Sequence, residues 1–228
     1  MITRLLLIAL LITAIGWGRS NTPPRQEFVP ITAAQWSDNQ SLLQHIWAGP
    51  VPAFAADLAV LRIYNLYAQA MKAPVNQREI WWSALRYQLY LAQNMDPYFR
   101  DIYRLSEGLL AYEAQDMEEA IHILSMSEPY LRSSDPLLAA AFIAYQELNN
   151  KTLALSLAKR AAEQPDSSPL VLGFTSNIIK GQSGCKAAVT YLISRLKTMP
   201  EEYQHGIKSR IMKLQKETSC RGKIQDSL

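Results

Sequence analysis

The side chains able to do chemistry in this chain are few and widely scattered. There are two cysteines, Cys185 and Cys220, and three histidines, His45, His122 and His205. In an oxidising compartment the two thiols could form one bridge, fastening the end of the chain to the helical segment before it. Loop-closure entropy would make that bridge worth about 3 to 4 kcal/mol. As metal ligands the same residues fall short, because two Cys and the nearby His205 lack the fourth ligand of a closed structural site. The histidines share no metal spacing, and no G-x-S-x-G, H-E-x-x-H, G-x-G-x-x-G or Walker pattern occurs. Gly181-Gln182-Ser183-Gly184 is too short for a phosphate loop. The carboxylate pairs Glu118-Glu119 and Glu201-Glu202 stand where helices begin, so they complement helix dipoles rather than form an acid and base. These residue types point to no enzyme, no metal and no cofactor.

The elements that carry these residues are helical. Of the 228 residues 49% are hydrophobic, enough for one sizeable domain, and with nine glycines and no strand-like alternation the expected class is all-α. The pattern is clearest in Leu105 to Leu124, which reads as two short amphipathic helices folded back to back at Gln115-Asp116. Gly108, Ala111 and Ala114 in the first helix, and Ala120 in the second, place small residues along the seam, so that the two backbones can approach closely. Leu105, Leu109, Leu110 and Tyr112 supply apolar bulk on one side; Met117, Ile121, Ile123 and Leu124 supply it on the other. Asp116 is the expected N-cap of the second helix.

That arrangement recurs. Ala120, Ala154 and Ala188 stand at a period of 34. In the second copy Ala144-Tyr145 matches Ala111-Tyr112, Asn149-Asn150 replaces Gln115-Asp116 at the turn, and Ala158 and Ala161 keep the second helix small-faced. The third copy has its turn at Gly181 to Gly184, a first helix over roughly 168–180, and Arg195 in the place of Ala161. Leu85, Leu89, Ala92 and the run Asn94-Met95-Asp96-Pro97 suggest the second helix of a still earlier, irregular copy.

A helix pair repeating every 34 residues resembles the tetratricopeptide family. The resemblance covers 98–199, a little under half of the chain. Two departures stand out: Glu107 occupies a position where the family usually has Leu, and the terminal Asp135-Pro136 appears reversed as Pro165-Asp166 in the next copy. The resemblance implies a short right-handed solenoid of antiparallel helix pairs that binds a partner protein on the face lined by the first helices. It makes Ile102, Leu105, Leu109, Tyr112, Ile143 and Gln146 the expected contacts.

The flanks complete the organisation. Residues 1–19 read as a signal peptide or membrane anchor, with the apolar run Leu5 to Ile15 behind the positive flank ending at Arg4. Cleavage near Ala14-Ile15-Gly16 and retention as an anchor stay open, and both place the rest of the chain across a membrane. Residues 20–30 are a proline-interrupted linker. Residues 31–97 hold N-terminal helices: one over Trp36 to Trp47, closed by Gly49-Pro50, then an apolar one from Ala53 to Lys72 that should be buried on most sides, and a third over Glu79 to Asn94. In the apolar helix Asp57 and Arg62 must be paired if they face inward. Trp81 and Trp82 lie about 100° apart on the third, so one should reach the surface unless Ile31 to Pro50 covers it.

Residues 200–219 form a capping helix with Tyr203, Ile207, Ile211 and Leu214 on its apolar face and Lys208, Arg210, Lys213 and Lys216 on a basic face. Residues 220–228 are a tail. From Lys186 onward there are nine Lys or Arg against four acids, whereas the whole chain carries only +3. That balance does not call for nucleic acid. The expected partners are another protein of a bacterial cell envelope and, through the N-terminal segment, the inner membrane, with the folded part facing the periplasm. The alternative is a structural membrane-associated subunit that grips through its hydrophobic N-terminus and basic helix. The bridge itself is testable: Cys185→Ser, or dithiothreitol on the unaltered protein, should lower the urea-unfolding free energy by about 3 to 4 kcal/mol.

Overall fold

The computed structural model describes residues 52–217. They are all-α, with no strand among the described residues. The leader, the linker, the helix expected over Trp36 to Trp47, His45, Cys220 and the tail lie outside the described residues.

Helix α1 (Pro52–Lys72) packs along α2 (Arg78–Met95). Pro74, with φ −55° and ψ 147°, separates them together with the 3-10 turn Val75–Gln77, because proline can neither donate to the helix ladder nor leave the preceding residue helical. One stripe of α1, formed by Ala56, Ala59, Val60, Ile63, Leu66 and Ala70, is buried. The expectation that this helix is buried on most sides is not met. Asp57 and Arg62 are exposed, and so are Phe54 (61%), Leu58 (51%) and Leu61 (66%). In α2, Trp82 is buried beside the Tyr67 ring at 6.1 Å, while Trp81 is half-buried against the core.

The turn after α2 is held by its own residues. Asp96 Oδ1 accepts from the Tyr98 amide at 3.1 Å, and the buried Tyr103 hydroxyl donates to the Pro97 carbonyl at 2.7 Å. Helix α3 (Arg100–Leu105) then widens into i→i+5 winding over Ser106–Glu113. The buried Ser106 hydroxyl donates to the Ile102 carbonyl at 2.8 Å, the back-bonding that bends helices. After a reversal come α4 (Met117–Ser125), the short α5 (Glu128–Leu131), α6 (Ser134–Gln146) and α7 (Lys151–Glu163). Last are α8 (Pro169–Leu196), broken at Gly184, and α9 (Glu201–Lys216).

The 34-residue spacing returns as backbone geometry. At the first reversal Gln115 has φ 59°, Ala114 N–H donates to the Leu109 carbonyl at 2.9 Å, and Asp116 N–H donates to Leu110 at 2.8 Å. At the second, Asn149 has φ 49°, Leu148 N–H donates to Ile143 at 3.3 Å, and Asn150 N–H donates to Ala144 at 2.8 Å. Each residue of the second set lies 34 after its counterpart in the first. Glutamine and asparagine sit where positive φ is needed, and asparagine tolerates it best among non-glycine residues.

Alanine lines the contacts between these helices. Ala111, Ala120, Ala144, Ala154, Ala158, Ala161 and Ala188 are each 0% exposed. Gly108 is a correction to the expected seam: a Cβ there would meet nothing within 4 Å, so no close approach depends on it. Asp116 stands at the N-cap of α4, but its carboxylate makes no capping bond and instead pairs with Arg86 at 2.5 Å. In the second copy the cap does form, with Asn150 Oδ1 accepting from Leu153 N–H at 3.0 Å.

Polar ties join each pair to the next. Ser133 Oγ and Ser134 N–H both donate to the Asp166 carboxylate at 2.7 Å. Arg160 Nε donates to Glu128 at 3.0 Å, and Arg195 donates to Glu163 at 3.1 Å. Gly184, at φ 84° and ψ 174°, lies in a region that side chains essentially forbid. Its neighbour Gly181 is helical with open space around it. Gly184→Ala should therefore destabilise by about 1 to 3 kcal/mol. Gly181→Ala should instead stabilise by up to about 1 kcal/mol, with urea denaturation separating the two.

Candidate protein-binding surface

The six expected contacts divide by burial. Ile102 and Ile143 are 0% exposed, part of the core rather than of any surface a partner could touch. Leu105 and Leu109 are half-buried and pack against that core. Tyr112, 48% exposed, and Gln146 do reach the surface.

The two copies differ locally. The first helix of copy one follows i→i+5 winding from Ser106, whereas that of copy two is an α-helix. Position 143 is buried where position 109 is half-buried, and its exposed neighbour on α6 is Phe142. Phe142 was not among the expected contacts. The available signal was a large aromatic placed directly after the alanine-rich run Leu138-Ala139-Ala140-Ala141.

Phe142 belongs to an aromatic group that spans two helices. Its ring lies 6.2 Å from Phe174 of α8, and Tyr145 meets Phe174 edge-on at 6.0 Å and 77°. Tyr145 and Phe174 are half-buried, so the group is anchored from below and open above. Burial first, and then the charges of Glu107 and Glu147, push the Tyr112 phenol up from its ordinary value. The Glu107 carboxyl is itself raised by burial, and it lines a small pocket of about 110 Å³ with Arg100, Arg104 and Asp135.

The basic helix is less uniform than its sequence suggests. Lys208, Lys213 and Lys216 are exposed, but Arg210 is half-buried and donates to Asn177 Oδ1 of α8. Arg210 thus holds the capping helix in place instead of extending a free basic face. At the end of α9 Glu217 pairs with Lys180, and that bond, together with Arg210 and Lys213 nearby, lowers its carboxyl pKa.

The residues with chemical potential stay apart. His205 is exposed, and His122 is exposed with its ring 6.0 Å from that of Tyr90. Cys185 is disulfide-bonded; the other cysteine of the sequence, Cys220, lies outside the described residues. Among the described residues no three His, Cys, Asp or Glu side chains come together as a metal site. No helix among them is long and apolar enough to cross a membrane. No protein-family model and no curated protein matches the chain.

Glu107 gives a pH test. Its folded pKa lies above the ordinary 4.5, so ionisation opposes folding: the stability present below about 4.5 is lost as pH rises through the folded value. Glu107→Gln carries no charge at any pH. Thermal denaturation should show a higher Tm for the variant at pH 7, with the two proteins converging below about pH 4.

Proposed function

We propose that this chain is a non-enzymatic protein-binding scaffold built as a short, right-handed, tetratricopeptide-like array of antiparallel helix pairs. It serves as an accessory subunit of a bacterial envelope assembly, secretion or maturation complex. The hydrophobic N-terminus directs the folded part across the inner membrane, where it faces the periplasm. The observation that carries the scaffold reading is the open aromatic group Phe142, Tyr145 and Phe174, which joins two successive helix pairs; Tyr112 and Gln146 are also exposed. The recurrence of one reversed turn at a spacing of 34 residues supports the repeat architecture.

Aromatic side chains with anchored bases suit this task. They offer large contact area at small entropic cost, and rings held at the centre of an interface carry much of its energy. The carboxylates near Tyr112 favour a partner segment that combines apolar anchors with Lys or Arg.

A second reading has its own observation. Lys208, Lys213 and Lys216 form an exposed basic stripe that suits anionic lipid head groups or an acidic protein, as a structural membrane-associated subunit would require.

Photo-crosslinkers at Tyr112 and Phe142 in cells, followed by mass spectrometry, test the scaffold. One dominant protein adduct is expected, and Phe142→Ala should weaken binding of that protein by about 10- to 100-fold. Reversing the charges of Lys208, Lys213 and Lys216 should leave its capture intact. If the aromatic positions capture nothing, while charge reversal abolishes membrane or complex association, the structural-subunit reading replaces the scaffold.

A further inference from the structure

Helices α7 and α8 carry an excess of cations. The first has Lys151, Lys159 and Arg160 against the single carboxylate Glu163, and the second has Lys180, Lys186 and Arg195 with no carboxylate at all. Part of that excess is matched from within the fold. Arg160 is tied to Glu128, Lys180 to Glu217 and Arg195 to Glu163. Lys159 and Lys186 are both exposed, and among the described residues no carboxylate comes within ion-pair distance of either ammonium group.

These two lysines line one cleft. It has a volume of about 610 Å3 and lies between α7 and the stretch of α8 that spans the break at Gly184. Its floor is apolar, formed by Ile179, 7% exposed, and by the half-buried Leu155 and Ala187. Its rim is polar, with Lys159 on the α7 side and the exposed Ser183, Lys186 and Thr190 on the α8 side. No carboxylate among the described residues lines it. The two helices are tied at one end, where Arg195 donates to Glu163 at 3.1 Å and its guanidinium lies 5.9 Å from the Tyr191 ring. Further back along α8 come the small Ala187 and then Gly184, where an added Cβ would meet nothing within 4 Å. Small side chains at that end leave the space open.

We propose that this cleft is a second protein-contact surface, one that takes an acidic segment of a partner with an apolar side chain set between carboxylates. Charge complementarity selects that occupant. A bare inorganic anion would meet the lysines and leave the apolar floor unfilled, whereas a purely apolar segment would fill the floor and leave two ammonium groups without counter-charge. The long stems of Lys159 and Lys186 can lie along the apolar walls while their charged ends stay at the rim, which sets the carboxylates on either side of the inserted side chain. None of Phe142, Tyr145 and Phe174 lines the cleft, so the proposal shares with the scaffold reading only the class of partner.

The test presents a display library of short random peptides to the full chain. Peptides that set an apolar residue between Asp or Glu should be selected, and Lys159→Glu combined with Lys186→Glu should weaken their binding by about 10- to 100-fold. Both lysines are exposed and unpaired, so the substitutions leave the fold alone. Thr190→Trp, which fills the cleft without changing its charge, should weaken the same peptides, and Ser183→Trp takes its place if circular dichroism shows that variant to be unfolded. Reversing Lys208, Lys213 and Lys216 should leave the peptides bound. So should Phe142→Ala, which lets this surface and the aromatic one fail separately. Selection of peptides without acidic residues, or of none, would overturn the proposal. Acidic peptides that the paired lysine variant still holds, that a filled cleft still holds, or that only the α9 reversal releases would overturn it as well. Vesicles of phosphatidylglycerol are the last arm: if they bind through Lys159 and Lys186 while no peptide does, the cleft is a lipid site and the proposal falls.

Discussion

Two helix backbones can lie close together only where the side chains between them are small, and the described part of this chain depends on that constraint. Ala111, Ala120, Ala144, Ala154, Ala158, Ala161 and Ala188 are all fully buried, and they recur along the chain where successive helices meet. Close packing makes such positions intolerant of added volume. It also lets short helices, which would be marginal alone, gain their stability from neighbours. The larger core residues, among them Leu110, Ile123, Leu137 and Leu157, fill the space on either side of the alanine contacts.

Polar interactions add register more than strength. The pairs Glu128 with Arg160 and Glu163 with Arg195 each join one helix pair to the next, but they are partly exposed, and ion pairs of that kind contribute little net stability. Their value lies in direction. Two ties of the same chemistry, together with the Asp166 carboxylate that accepts from Ser133 and Ser134, hold each pair at a defined position against its neighbour.

The two copies are not identical in what they expose. The first helix of copy one has i→i+5 winding over Ser106–Glu113, and the half-buried Leu109 in it corresponds to the buried Ile143 of the second copy. Buried and exposed side chains are not separated by the 34-residue period alone. The aromatic group around Phe174 arises where α6 brings both Phe142 and Tyr145 against α8.

What the sequence determined by itself is the helical class, the alanine seam and the two reversed turns, because all three rest on local chemistry: periodicity, residue size and tolerance of positive φ. Residues near each other in the chain carry that information. It was silent on orientation. Whether Ile143 or Phe142 faces out depends on which side of α6 packs against its neighbouring helices, and Asp116 turned from a cap to a partner for Arg86, some thirty residues away. Arg210 likewise looked like one of four equivalent cations until packing against α8 gave it Asn177. Only the tertiary structure could decide these, because each is settled by a side chain that arrives from another helix.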